Sequence, residues 1–325
     1  MKKIIAIGNA IVDIVCKVDD AFLQENNLVK GSMSLIDEEI AQKLSALKPE
    51  KITSGGSAAN TIATLSQLNC KTAFIGKVGH DEIGKKFISE ISKSGCDFIS
   101  DKIHHKASAK SFILVSPDAQ RTMCTYLGCA SEINENDIDE KAFKDCAILY
   151  LEGYLWDAPA TILALKKAIN LAKKNGAKIA FSLSDSFCVA RHKKDFLELI
   201  KNHLDIVFAN EAEAFELTNS NNFAEFFNQN KNLIGVVTKH EKGCQVFHDN
   251  KFIEVAAQKN IKAIDSTGAG DVFAAGFLYG LINNHDLEKS AEFANNLAAK
   301  IIQKFGARFD ENELDQIKNK LYDME

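Results

Sequence analysis

What this 325-residue chain lacks narrows what it does. Its eight cysteines, at positions 16, 70, 96, 124, 129, 146, 188 and 244, form no CxxC pair. Zinc ribbons and thioredoxin-type redox motifs therefore find no support. Most of them sit among apolar neighbours, as Cys146 does, and read as small buried hydrophobes. No block of like charge marks a basic arm or an acidic tail. A net charge of −5 and a pI near 6.0 argue against a nucleic-acid surface. No apolar run approaches the length of a membrane span. The opening Met1–Asn9 stretch is too short for a secretory signal, so the cytoplasm, which suits free thiols, is the expected compartment. Internal repeats, low-complexity stretches and linkers are also absent.

Two phosphate-binding patterns come close and fail. Residues Gly79-His80-Asp81-Glu82-Ile83-Gly84-Lys85-Lys86 put Lys86 where a P-loop needs Ser or Thr, and Asp81 and Glu82 would repel phosphates. Residues Gly268-Ala269-Gly270-Asp271-Val272-Phe273 place Phe273 where a dinucleotide turn needs glycine. A Rossmann dehydrogenase stays only as an alternative.

The chain is 46% hydrophobic and 26% charged, enough for a sizeable core. Lys3–Ile7 reads as a buried strand, and Ile11–Val15 as a second apolar stretch interrupted by Asp13. From residue 147 onward strands alternate with amphipathic helices, which argues for parallel strands joined by crossover helices. Ser111–Val115 and Arg121–Leu127 flank the turn sequence Ser116-Pro117-Asp118-Ala119-Gln120 and read as a hairpin, a candidate for a small separate sheet.

Two glycine turns run into helices. At Asp265-Ser266-Thr267-Gly268-Ala269-Gly270-Asp271, a bare turn opens an apolar helix, which suits an anion at its N-terminus. An acid there repels a phosphate unless it has a task such as taking a proton; an ordinary glycine turn is the competing reading. At Gly55-Gly56-Ser57-Ala58-Ala59-Asn60, paired glycines let the backbone approach a ligand, and Asn60 offers both a donor and an acceptor to a hydroxyl-rich one. Here too a plain helix start is the alternative. Asp13 is either a strand-end cap or an acid aimed into a pocket.

Those two turns, with Asn210-Glu211-Ala212-Glu213 between them, resemble the ribokinase-like (PfkB) family of carbohydrate and nucleoside kinases in order and spacing. Within it, Ser184-Asp185-Ser186-Phe187, Arg121 and the run 205–213 are most similar to the adenosine kinases. The resemblance implies one α/β domain over 1–325, a three-layer fold with a mainly parallel central sheet. A small β-lid is implied near 14–36 and 106–128. It further implies ATP-dependent phosphorylation of a primary hydroxyl, foremost the 5′-hydroxyl of adenosine to give AMP. A ribose, fructose or 2-keto-3-deoxygluconate kinase is the alternative, and a catalytically idle binding protein is a third. Asp271 is the implied base, with Gly268, Ala269 and Gly270 as an anion hole. Asp13, Gly55, Gly56, Asn60 and Glu152 are implied at substrate hydroxyls, Phe187 at the adenine ring and Arg121 at the transferring phosphate. Asn210 and Glu213 would organise magnesium and its waters. Thr238, Gly243 and Asn295 would line the ATP site, and Asp265 and Thr267 would hold a monovalent cation such as potassium. His240 stands where sugar kinases commonly have glycine. Partners would be small molecules, with no nucleic acid or membrane, and the protein a monomer or a homodimer through its lid.

Overall fold

The computed structural model describes residues 2–100, 106–118, 120–230, 232–310, 313, 314 and 317. Ala119 of the expected hairpin turn, and the remaining positions of the expected 1–325 domain, lie outside the described residues. In chain order, β1 (Lys3–Ile7) and β2 (Ile11–Lys17) precede α1 (Asp20–Glu25), β3 (Met33–Leu35), α2 (Glu38–Leu44) and β4 (Lys51–Ser54). Next come α3 (Ser57–Gln67), β5 (Lys71–Ile75), α4 (Glu82–Lys93), β6 (Asp97–Ile99), β7 (Ala109–Val115) and β8 (Arg121–Tyr126). The regular half holds β9 (Cys146–Glu152), α5 (Pro159–Lys174), β10 (Lys178–Ser182), α6 (Ser186–Asn202), β11 (Ile206–Asn210), α7 (Glu211–Thr218) and α8 (Phe223–Asn228). Finally come β12 (Ile234–Thr238), β13 (Cys244–His248), β14 (Lys251–Val255), α9 (Ala269–Ile282) and α10 (Leu287–Ile301).

Nine strands form one sheet in the order β14-β13-β12-β11-β10-β9-β1-β5-β6. It is parallel from β12 to β6, and β13 and β14 add an antiparallel edge. Successive strand residues point to opposite faces, so β1 feeds two cores. Ile4 and Ala6 join the layer with α3, α9 and α10. Ile5 and Ile7 join the layer with α5, α6 and α7. Covering both faces explains why these strands are apolar throughout rather than alternating. The result is the expected three-layer α/β fold. Seven of the eight cysteines are buried, and Cys70 is partly exposed. Among the described residues no helix is long and apolar enough to cross a membrane.

The second sheet has the order β3-β8-β7-β2-β4 and draws strands from both segments expected for a lid. β7 and β8 form the expected hairpin, and β2 lies parallel to β7. This sheet also takes β4, outside the two segments expected for a lid, which pairs antiparallel with β2. Four residues with one apolar side chain carry too short a pattern to be read as a strand; only pairing to β2 defines β4. Val12, Ile14 and Cys16 are buried on one side of β2, which puts Asp13 and Val15 on the other. That second side lines a cavity shared with residues 304–310.

Candidate functional site

The site lies where β1, β9 and β11 end, the place at which parallel α/β sheets bind ligands. Gly268 caps α9 in the left-handed region, φ 76°. The first N–H groups of a helix lack intrahelical acceptors, so this turn presents donors to an anion. One turn in, Asp271 is held from α3: Ser57 Oγ donates to its Oδ1 at 2.6 Å and Asn60 Nδ2 to its Oδ2 at 3.0 Å. Burial pushes the Asp271 carboxyl up to about 6, with those two hydrogen bonds and the Arg308 charge working against it. A carboxylate poised near neutrality is suited to general-base work.

The Gly55-Gly56 turn is shaped by its neighbours. A Cβ on Gly55 would lie 2.3 Å from an Asp13 carboxylate oxygen, and one on Gly56, at φ 88°, 2.4 Å from the Asn9 carbonyl. Only glycine lets Asp13 and the turn close together. Burial raises the Asp13 carboxyl to about 7, with Arg308 opposing and Asp271 adding to the rise. Asp13, Asn60 and Asp271 thus lie close together.

Glu152 departs from its expected place at a substrate hydroxyl. It is 1% exposed, and its oxygens accept the backbone N–H groups of Asn9 at 2.8 Å and Ala58 at 2.6 Å. It holds the end of β1 and the start of α3 together from beneath, and burial lifts its carboxyl to about 7. Asn295 is likewise engaged by the protein itself. Its amide is buried and donates to the Val255 and Ala256 carbonyls, both at 3.2 Å, tying α10 to the end of β14. Asn295→Ala is expected to lower stability by about 1–3 kcal/mol, because two buried carbonyls lose a donor; urea unfolding of the two proteins measures it.

At the start of α7, Asn210 and Glu213 form a reciprocal cap. Asn210 N and Nδ2 donate to the two Glu213 oxygens at 3.0 and 2.6 Å, and Glu213 N donates back to Asn210 Oδ1 at 2.9 Å. Burial raises the Glu213 carboxyl to about 7, the backbone hydrogen bond to Asn210 opposes that, and Asp185 and Asp271 add to it. Thr238 stands beside Asn210 in the β11–β12 register. Gly243, at φ 96°, leads into β13 at a point where a Cβ would meet the Val255 carbonyl.

Asp265 is buried and fully engaged. Its Oδ1 accepts from Arg121 Nη1 at 2.8 Å and from Thr267 N and Oγ1 at 2.9 and 2.6 Å, while Oδ2 accepts from Gly306 N at 3.0 Å. Burial alone would raise this carboxyl, but those donors outweigh it and hold it at about 2. Arg121 also donates to Thr267 Oγ1 at 2.6 Å. The guanidinium therefore stands beside the anion turn and supplies the positive charge at Asp265. With Arg121 in that place the donor set does not fit a potassium ion. Phe187, in the first turn of α6, is 75% exposed and free of the aromatic core that takes up Trp156 with Phe181 and Phe196.

A cavity of about 870 Å³ opens between the second sheet and residues 304–310, lined in part by Asp13, Arg121, Asp265, Thr267 and Arg308. Asp271 and Glu213 lie beyond its lining. The sequence assigns no site role to Ser57 or Arg308: Ser57 is one more small residue in a glycine turn, and Gly306-Ala307-Arg308 fits the family's general pattern but says little about substrate. Elsewhere, Asp157, Cys188 and His192 lie within 4.8 Å of one another. Arg191 donates to both Asp157 oxygens there, a cation already in the place of a metal.

The model of the pfkB family of carbohydrate kinases matches residues 1–314. A solved adenosine kinase from Sinorhizobium meliloti is 36% identical, with 98% of this chain and 99% of that one covered and a TM-score of 0.88. A probable sugar kinase from Rhizobium etli is 35% identical over 98% of this chain and 99% of its own, with a TM-score of 0.89. A 5-dehydro-2-deoxygluconokinase from Clostridium botulinum is 29% identical over 81% of this chain and 82% of its own.

Proposed function

This chain belongs to the pfkB family of carbohydrate kinases, and from that premise we propose that it transfers the γ-phosphoryl group of ATP to the 5′-hydroxyl of adenosine. The observation that carries the reading is Asp271, aimed by Ser57 and Asn60 at the N-terminus of a helix opened by Gly268. Phosphoryl transfer needs positioning and charge stabilisation above all. The anion turn meets the charge on the phosphoryl group, Asp271 takes the proton of the attacking hydroxyl, and Asp13 with Asn60 holds the ribose.

Magnesium fits an outer position. Both Glu213 oxygens are engaged by Asn210, so this pair would hold magnesium through water. When bound, magnesium offsets the phosphate charge. Potassium has no part in the proposal, since Arg121 compensates Asp265. Lid closure excludes water as a competing acceptor.

The nucleoside reading is supported by the likeness to the Sinorhizobium enzyme and by Phe187, an exposed ring free to stack on a base. Phe187→Ala is expected to raise KM for adenosine about tenfold, the size of one lost base–aromatic stack, and to leave KM for a free sugar unchanged. ATP consumption against adenosine, inosine, guanosine, ribose, fructose and 2-keto-3-deoxygluconate tests the assignment. Preference for adenosine is the expected result. Preference for a free sugar transfers the same chemistry to a sugar kinase.

A further inference from the structure

An Asn amide beside a carboxylate works in only one orientation. Its NH₂ end donates; its carbonyl end would repel. Something has to choose the end, and Arg308 is placed to do it. Its Nε donates to Asn60 Oδ1 at 3.1 Å, while Asn60 Nδ2 donates to Asp271 at 3.0 Å. A guanidinium cannot accept a hydrogen bond, so only the carbonyl end of Asn60 can face it.

Arg308 is itself braced. Its Nη1 donates to Ser54 Oγ at the end of β4, and Ser54 donates through N and Oγ to Glu90 Oε2 on α4, at 2.6 and 2.7 Å. The segment that carries it is pinned to the anion turn by Gly306 N on Asp265 and by the Ile302 carbonyl, which accepts from Ile264 N and Asp265 N. One continuous set of contacts joins α4, the base of the lid, the C-terminal segment and the base.

We propose that Arg308 is a positioning residue for phosphoryl transfer: it fixes the Asn60 amide and, through it, the carboxylate of Asp271. Arg308 also faces the charges of Asp13, Asp271 and Glu90; burial lowers its pKa to about 10, which leaves it charged at neutral pH. Charge alone is therefore the rival explanation, and lysine separates the two. Arg308→Lys keeps the cation but cannot hold Asn60 and Ser54 together in the planar fork.

This inference rests on the proposed kinase activity, so the wild type is assayed first on the acceptor panel. No turnover on any acceptor removes that activity and this role with it. With turnover established, kcat and KM are measured for Arg308→Gln, Arg308→Lys, Asn60→Ala and the Arg308→Gln/Asn60→Ala pair, alongside their melting temperatures. Arg308→Gln and Arg308→Lys should both lower kcat roughly 10–100-fold, as small misplacements of reacting groups do, with KM for ATP unchanged. In the Asn60→Ala background, Arg308→Gln should cost under about twofold more, since the two act in series. Losses that multiply, or a lysine variant with full kcat, would overturn the positioning role and leave the kinase reading intact. Should the glutamine variant fail to fold, the lysine variant decides alone by the same criterion.

Discussion

Asp271→Asn should lower kcat by about 10²–10⁴-fold, the usual size of a general-base contribution, with little change in KM for ATP. The substitution keeps shape and removes the ability to take a proton. The wild-type acid limb follows from the same group. Burial raises the Asp271 carboxyl from 3.8 to about 6, and the base works only when ionised. The rate should therefore rise as pH increases through about 6 and level off above it. Asp13, Glu152 and Glu213, each raised to about 7, face the same region. The observed step is then a property of the group of acids rather than of one residue. In Asp271→Asn the acid limb of the residual rate should therefore differ from that of the wild type, since one member of the group is gone. Kinetics across pH 5 to 9 (about two units either side of neutrality, where buried acids titrate) check both the loss and its pH course.

The second large effect separates two glycines of the same turn. Gly268 sits at φ 76° with Ala307 packed against it; a Cβ would lie 2.5 Å from Ala307 Cβ and 2.7 Å from its Cα. Gly268→Ala must displace backbone, and it carries the left-handed penalty as well, about 1–2 kcal/mol. The N-terminus of α9 then moves away from residues 304–310. Loss of one well-placed anion-hole donor costs about 10²–10³-fold, so kcat/KM should fall by that much and Tm by about 2–8 °C. Apart from its chain neighbours and its own helix backbone, Gly270 has nothing within 4 Å of an added Cβ among the described residues. Gly270→Ala should fold with an equal or higher Tm, because alanine is favoured over glycine in a helix by up to about 1 kcal/mol. Any loss of activity in that variant reports the space a phosphoryl group needs. Calorimetry beside steady-state kinetics distinguishes the two behaviours.

Much of this was legible because the signals are local. The alternation of apolar strands and amphipathic helices after residue 147 requires only short-range pattern, and it corresponds to β9–α7 as observed. The turns at Gly55-Gly56 and Gly268–Gly270 are equally local. What escaped depends on contacts between distant segments. β4 exists by pairing with β2, and β13 and β14 by pairing on the β12 edge. Glu152 follows a buried strand, where an acid suggests a pocket; that its oxygens are taken by Asn9 and Ala58 depends on residues 143 and 94 positions away. Arg121 meets Asp265 across 144 positions, and Arg308 meets Asn60 across 248. No spacing rule carries such information, since the partners are chosen by the folded sheet and lid.

Phosphoryl transfer from ATP to a nucleoside hydroxyl at Asp271 leaves a traceable product. ATP labelled in its γ-phosphate is incubated with the protein, magnesium and adenosine. Label is expected in the 5′-phosphate of AMP, formed one for one with ADP, and its formation should be slowed about 10²–10⁴-fold in the Asp271→Asn protein. Label recovered only as inorganic phosphate, or AMP formed at the wild-type rate by Asp271→Asn, would contradict it.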